Sequence, residues 1–235
     1  MSSTPIDWVK WGAIGQCVAA LLTFGAVVVA VYQDRIWRPR LRLHVSSRSP
    51  RCMKQDARVA SCSTEGNPTL QKRVPCYYIR VTIENHGELG ADHVEVMLKT
   101  IEECHNEAGE PLPREDFCAI NLGWTHRNHN DAIEASYLHL PPHTSKECDL
   151  ACIVRRDPTE VPRLLELQVV PKPVTPFYQL RPGRYRLQLV VAARNAKSTT
   201  EWLELRWDGE WHDVRSTMCG EHLRVKVTKA SRRRK

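Results

Sequence analysis

The stretch YYIRVTIE, residues 77 to 84, decides the fold class because its side chains alternate in character along the chain. On a β-strand the odd-numbered residues Tyr77, Ile79, Val81 and Ile83 share one face. The even-numbered residues, which are mostly polar, share the other face. This alternation predicts a strand with one face in a core and one face toward water.

The same period-2 pattern recurs on both sides of this stretch, in short runs bounded by Pro, Gly and Asn. Helical periodicity is scarce after residue 40. The pattern therefore predicts an all-β fold, an antiparallel immunoglobulin-like β-sandwich of two sheets. The predicted strands are Leu41 to Val45, Tyr77 to Glu84, His93 to Ile101, Cys148 to Val154, Leu164 to Val170, Arg184 to Ala193, Glu201 to Trp207 and His222 to Val227.

Two segments of this region resemble a known class of domains. RVTIENHGELGADHVEVMLKT (80–100) resembles the strand, Asn-x-Gly turn and strand of immunoglobulin-like and CARDB-like modules in prokaryotic proteins. RPGRYRLQLVVAARN (181–195) resembles the Pro-Gly-x-Tyr strand of the same class. The resemblance implies the sandwich architecture only, because such sandwiches carry many unrelated functions.

An uncharged stretch near the N-terminus, WGAIGQCVAALLTFGAVVVAVY (11–32), predicts one transmembrane helix before the sandwich. Its 22 residues make a helix of about 33 Å, enough to cross a hydrocarbon core of about 30 Å. A cleaved signal peptide would be shorter, and a buried soluble helix would show a polar face. The predicted organisation is, in chain order, an N-terminal tail (1–10), the helix (11–32), a basic linker (33–40), the sandwich (41–228) with loop insertions near 48–75 and 103–130, and a basic tail (229–235).

The residues that flank the predicted helix indicate its orientation. Arginines follow it closely, and Lys or Arg beside a span stays on the cytoplasmic side. We therefore predict a single-pass protein of the inner (cell) membrane whose C-terminal domain is cytoplasmic. The predicted membrane-interface residues are Trp8, Trp11, Tyr32, Arg35, Trp37, Arg38 and Arg40.

The nine cysteines leave two alternatives open. Cys17 lies in the predicted span, and the even number of the others permits disulfides. They follow no compact disulfide framework, and free cysteine is a normal buried residue in a reducing compartment. Because the arginine flank indicates the cytoplasm, we favour reduced thiols.

Small or polar residues recur along one face of the predicted helix, at alternating spacings of four and three. In lipid, close approach across small residues and hydrogen bonds drive helix association. The predicted association seam consists of Gly12, Gln16, Ala19, Thr23, Ala26 and Ala30. The alternative is that membrane helices are generally rich in Gly and Ala. Gln16 is also the residue through which the span would line a pore.

The sequence contains no strong motif for catalysis or for metal binding. His126, His129, Cys148 and Cys152 are the nearest to a metal-ligand cluster, but strand alternation places Cys148, Leu150 and Cys152 on one buried face, so we predict no metal site. No catalytic or nucleotide-binding motif is present. We predict no enzyme activity and no cofactor.

Three tryptophans are predicted partner contacts: Trp207 and Trp211 around a hairpin turn at Asp208–Gly209, and Trp124 in the second loop insertion. The alternative is that these rings pack across strands in the core. The net charge of +7 and the tail KASRRRK fit anionic lipid headgroups beside a membrane, so we predict no nucleic-acid partner.

These observations predict a membrane-anchored, non-enzymatic interaction protein whose cytoplasmic β-sandwich mediates protein binding or oligomerisation. Its predicted partners are membrane lipid and either another protein or further copies of this chain. A first alternative is a membrane-disrupting or pore-forming effector of a bacterial defence system, assembled through the transmembrane helix. A second is an extracytoplasmic module with disulfides.

Overall fold

A computed structural model describes residues 8–36, 38–45, 52–60, 71–104, 110–125, 136–155 and 163–228. The chain divides into two compact units, Met1–Arg38 and Pro39–Lys235. The first unit contains α1, Trp8–Ile36, which extends beyond the predicted span at both ends. Within it, Ile14–Tyr32 has a mean hydropathy of 2.3 and is 0% buried. One N-terminal helix is therefore long and apolar enough to span a membrane.

The second unit is all-β, as predicted, and consists of two antiparallel sheets. The six-stranded first sheet runs β1-β3-β8-β9-β11, with β2 also paired to β3. Its strands are β1 (Leu41–Val45), β2 (Cys52–Ala60), β3 (Gln71–Asn85), β8 (Ser145–Val154), β9 (Leu165–Leu167) and β11 (Gln179–Leu180).

The eight-stranded second sheet runs β10-β6-β4-β12-β13-β14, with β5 and β7 also paired to β4. Its strands are β4 (Ala91–Glu103), β5 (Leu112–Pro113), β6 (Ile120–Leu122), β7 (Leu138–Leu140), β10 (Val169–Val170), β12 (Gly183–Ala193), β13 (Ala196–Trp207) and β14 (Leu223–Thr228).

The core lies between the inner faces of the two sheets, and the predicted alternation is confirmed on both. On β3 the apolar residues from Tyr77 to Ile83 are buried. On β12 every second residue from Tyr185 to Val191 is buried, and on β13 Leu203 and Leu205 are buried. These side chains join one apolar cluster, which is what two facing half-apolar sheets require.

The predicted loop at 48–75 is wrong for much of its length, because β2 and the start of β3 lie there. β1 pairs with β3 at residues 81–85, and β2 pairs with β3 at residues 71–79, so the two strands follow one another along the same edge. On β2, charged residues such as Lys54 alternate with less polar ones, which is typical of an edge strand that faces water. The second predicted loop region, 103–130, contains the short strands β5 and β6.

The predicted strand Leu164 to Val170 is two strands that belong to different sheets. The chain crosses between them at Gln168. Its backbone N–H donates to the Leu150 carbonyl, 3.0 Å away, while its own carbonyl accepts from the Gly123 N–H at 2.9 Å. A run of apolar residues cannot reveal this change of sheet, because both halves are buried.

The predicted hairpin at Asp208–Gly209 is also wrong. Residues 208–222 form a longer connection between β13 and β14, which ends in a helical turn at Arg215–Thr217 and a π-helical turn at Met218–His222. Gly209 has φ +92, and a Cβ there would lie 2.6 Å from Pro182 Cγ. Both observations require glycine at this position.

A disulfide joins Cys52 of β2 to Cys219 of this connection. The expectation of reduced thiols is therefore wrong for this pair. Among the described residues Cys17, Cys104, Cys118, Cys148 and Cys152 form no disulfide.

Candidate functional site

The predicted seam residues all lie on α1 and all are exposed. Thr23 Oγ1 donates a hydrogen bond to the Ala19 carbonyl at 2.8 Å, within the same helix. The Thr23 hydroxyl therefore has a partner without a second helix, which leaves Gln16 as the seam residue best able to donate across an interface.

The predicted interface residues lie near the two ends of the same helix or follow it in the sequence. The rings of Trp11 and Tyr32 are 66% and 52% exposed, and Arg38 and Arg40 are exposed where the second unit begins. Trp8 and Arg35 belong to α1, and Trp37 lies outside the described residues.

Two of the three predicted partner tryptophans are in the core, and the prediction is corrected for both. Trp124 is 1% exposed, and its Nε1 donates to the Ser136 carbonyl at 3.0 Å. Trp207 is also 1% exposed, because it continues the inward face of β13. Neither ring can contact a partner while the domain is folded.

Trp211 is half-buried, and its ring lies on Tyr77 with the centroids 4.9 Å apart. Around this ring pair, the 208–222 connection is held against the first sheet. The Tyr77 hydroxyl donates to the His212 carbonyl at 3.0 Å, and Lys54 Nζ lies 2.8 Å from Asp213 Oδ1. Hydrogen bonding from Lys54, supported by the Trp211 indole N–H, lowers the pKa of Asp213.

The predicted metal-ligand candidates do not form a cluster among the described residues. His126 and His129 lie outside them. Cys148 pairs with Val81 and Cys152 with Tyr78, so the two cysteines lie on opposite faces of the first sheet. The predicted shared face is wrong because the register of β8 shifts at Leu150, between the partners of Ile79 and Arg80.

Burial also makes these thiols poor ligands. It raises the pKa of Cys148 well above the usual thiol range, and it raises the pKa of Cys152 as well. Both remain protonated near neutral pH, and the thiolate is the form that binds metals and attacks substrates.

A polar cleft of about 530 Å³ opens between the end of β4 and the start of β12. Cys104 lines it, and burial raises the pKa of that thiol. None of its described lining residues is a histidine, so this part of the chain offers no Cys–His pair.

A buried ion-pair cluster occupies the outer face of the first sheet. Arg80 Nε lies 2.9 Å from Asp149 Oδ1, and Arg80 Nη1 lies 3.3 Å from Glu147 Oε2. Arg80 and Asp149 are 4% and 6% exposed. The Thr125 hydroxyl also donates to Asp149 at 2.9 Å, so this contact fixes the chain near Trp124 to the outer face.

A second polar cluster on this face was not predicted. His44 of β1, Glu84 of β3 and His86 just after β3 bring one ligand atom each within 4.8 Å of one another. His44 Nε2 lies 3.1 Å from Glu84 Oε2, and His86 Nε2 lies 3.0 Å from the same oxygen. The signal in the sequence is the Glu84-x-His86 spacing, which places both side chains on one strand face.

Asn85, between Glu84 and His86, fixes the backbone of this cluster. It is 0% exposed. Its Oδ1 accepts from the N–H groups of Arg40 at 3.1 Å and Gly87 at 3.0 Å. The two N–H groups of its Nδ2 are shared among three carbonyls, those of Leu89, Leu140 and Pro141. The His86 N–H donates to the Arg40 carbonyl at 2.9 Å, which extends the β1–β3 pairing to the cluster.

Two comparisons with known proteins find no relative. In a scan of protein-family models none matches the chain, and a search of curated proteins finds no significant match.

Proposed function

We propose that the protein is a membrane-anchored, non-enzymatic interaction protein whose cytoplasmic β-sandwich binds another protein or a second copy of the chain. The observation that carries the proposal is the helix Ile14–Tyr32, of which 0% is buried. Apolar surface of this extent requires a nonpolar environment, and lipid supplies it. In this proposal the helix anchors the protein in the membrane and associates with the helices of other copies, and the sandwich recognises the partner.

The surface around Trp211 is the part of the sandwich that we assign to a partner. Trp211 is the one predicted tryptophan that keeps accessible surface, and Val214 beside it is 54% exposed. Charged groups surround them, including Asp213 and Lys54. An apolar centre with a polar rim is typical of protein interfaces.

The experiment is the mass of the full-length chain in detergent, measured beside the unit Pro39–Lys235 by light scattering or native mass spectrometry. We expect a defined oligomer for the full-length chain only. Ala19→Leu places a bulky side chain on the seam and is expected to dissociate the oligomer, whereas Ala20→Leu makes the same change next to the seam and is the matched control. Monomers of both the full-length chain and the unit would refute association through the helix.

The cytoplasmic orientation is supported by the arginines after the helix and by Cys104, Cys118, Cys148 and Cys152, which form no disulfide in the described sandwich. Cys118 is exposed and reports the side of the membrane. In sealed cells a membrane-impermeant maleimide is expected to spare Cys118 until the membrane is permeabilised, with Cys118→Ser as the control for labelling elsewhere.

One observation favours the extracytoplasmic alternative. The Cys52–Cys219 disulfide is of a kind that persists in oxidising compartments. Labelling of Cys118 in sealed cells would support this alternative and overturn the cytoplasmic assignment.

The membrane-disrupting alternative is supported by Gln16, a polar side chain exposed on an otherwise apolar helix. It predicts dye leakage from liposomes that contain the full-length chain. Gln16→Leu is expected to abolish leakage while leaving the protein in the membrane. If liposomes that contain the oligomeric full-length chain do not leak dye, the pore-forming alternative is excluded and membrane anchoring remains the proposed function.

A further inference from the structure

The cluster of His44, Glu84 and His86 has the donor set of a transition-metal site. Two imidazole nitrogens and one carboxylate oxygen are among the ligands that zinc prefers, whereas Mg²⁺ and Ca²⁺ prefer oxygen alone. The two imidazoles come from β1 and from the end of β3, and both approach Glu84 Oε2.

The spacing of these atoms matches a common centre. Ligands that each lie about 2.0–2.1 Å from a tetrahedral ion lie about 3.3 Å from one another. The observed separations are 3.1 Å from His44 Nε2 to Glu84 Oε2 and 3.0 Å from His86 Nε2 to the same oxygen. All three ligand atoms lie within 4.8 Å of one another, so a small displacement would surround an ion.

The direction of the His44 ring provides a second observation. Its side chain is 42% exposed, yet the Nε2 atom is shielded from solvent and has no hydrogen-bond partner among the described residues. The nitrogen is therefore close to the Glu84 carboxylate without a directed hydrogen bond to it. Elsewhere, His139 and His222 each make a hydrogen bond of 2.8 Å to a carboxylate.

The backbone of the cluster is fixed by hydrogen bonds, and its side chains are accessible to solvent. Asn85 fixes the backbone between two of the ligands, and the β1–β3 pairing fixes the third. The Glu84 and His86 side chains are 37% and 39% exposed, so an ion from solution can enter and keep a water molecule as a further ligand.

We propose that His44, Glu84 and His86 form a binding site for one zinc-type divalent transition-metal ion, which bridges β1 and the end of β3. The ion would link the strand that follows the membrane anchor in the sequence to a central strand of the sandwich. Because metal ligation needs neutral imidazoles and an ionised carboxylate, binding weakens as the histidines become protonated.

The test uses the full-length chain in detergent, stripped with a chelator and with its accessible thiols alkylated, so that cysteines do not compete. Zinc alone is the probe, at buffered free concentrations, and bound zinc per chain is measured by mass spectrometry of the metal after equilibrium dialysis. We expect one zinc per chain and a rise in the melting temperature when zinc is added.

Variants distinguish this site from other histidine–carboxylate pairs. His44→Gln, Glu84→Gln and His86→Gln are each expected to weaken zinc binding more than about 100-fold, since loss of even an outer-shell partner costs up to that much. His139→Gln removes a histidine beside Asp92 and is expected to bind zinc like the unaltered chain. Tryptophan fluorescence confirms that each variant is folded.

Two outcomes would overturn the proposal. The unaltered chain could hold no zinc at these concentrations, in which case the cluster is an ion-pair network only. Alternatively, the three ligand variants could hold as much zinc as His139→Gln does, in which case zinc binds elsewhere.

Discussion

Replacement of Asn85 by alanine is expected to destabilise the sandwich strongly, because this side chain bonds several backbone segments at once. Asn85 is fully buried, and it holds together the start of β1, the turn after β3 and the end of β7. Alanine would leave the backbone groups of these segments without their partner.

The magnitude follows from where each contact lies. Two of the hydrogen bonds are buried, from Nδ2 to the Leu140 carbonyl and from the Gly87 N–H to Oδ1. A buried group left unsatisfied costs about 1–3 kcal/mol. The contacts to Arg40, Leu89 and Pro141 are partly buried, so water can replace them at about 0.5 kcal/mol each. Together these give a loss of about 3.5–7.5 kcal/mol in the free energy of unfolding.

The assay is urea unfolding of the unit Pro39–Lys235, followed by the fluorescence of the buried Trp124 and Trp207. Asn195→Ala is the matched control, because Asn195 also bonds backbone groups, at Gly90 and Asp92, but is exposed. We expect it to cost less than about 1 kcal/mol. If Asn85→Ala costs no more than Asn195→Ala, the account of Asn85 as the organising residue is wrong.

Three further predictions concern the core and the 208–222 connection. Trp207→Ala is expected to lower the free energy of unfolding by about 3–5 kcal/mol, since it removes a buried ring; a loss under about 1 kcal/mol in urea unfolding would place that ring at the surface. Alkylation of the denatured chain without reductant is expected to leave Cys52 and Cys219 unmodified, and Cys52→Ser is expected to cost about 2–5 kcal/mol in the oxidised protein; modification of both by mass spectrometry would contradict the disulfide. Hydrogen bonding from Lys54 lowers the pKa of Asp213, so the contact stabilises the fold above the carboxyl pKa of the unfolded chain and is lost as the pH falls through the lower folded value. Asp213→Asn should therefore reduce the acid-side dependence of the urea midpoint, and an unchanged pH profile would exclude this contribution.

The sequence predicts the fold class because inward and outward residues alternate along the long strands. β3 and β12 show this clearly, since every second residue of Tyr77–Ile83 and of Tyr185–Val191 belongs to one core. The sequence does not predict β2, because an edge strand with charged side chains has the composition of a loop. The chain changes sheet at Gln168, and the register of β8 shifts at Leu150. Both features depend on which strand pairs with which, and alternation within one strand does not reveal its neighbour.

The candidate sites were harder to predict for the same reason. Trp124 and Trp207 were assigned to surfaces because aromatic residues serve both cores and interfaces, and only their position on the folded strands separates the two. His44 is far from Glu84 and His86 in the sequence, and the β1–β3 pairing brings them together. A local motif therefore favours the histidines and cysteines of residues 126–152, which are close together in the sequence.

The crossing at Gln168 has a consequence for how the sandwich opens. The Gln168 N–H donates a hydrogen bond on the side of the first sheet, and its carbonyl accepts one on the side of the second. Near it, the Asp149 N–H donates to the Gly123 carbonyl, which joins the same two sheets again. Neither sheet can peel away at this corner without breaking bonds of the other. Amide hydrogen exchange should therefore report both sheets opening as one cooperative unit, with their slowest amides sharing one exchange free energy.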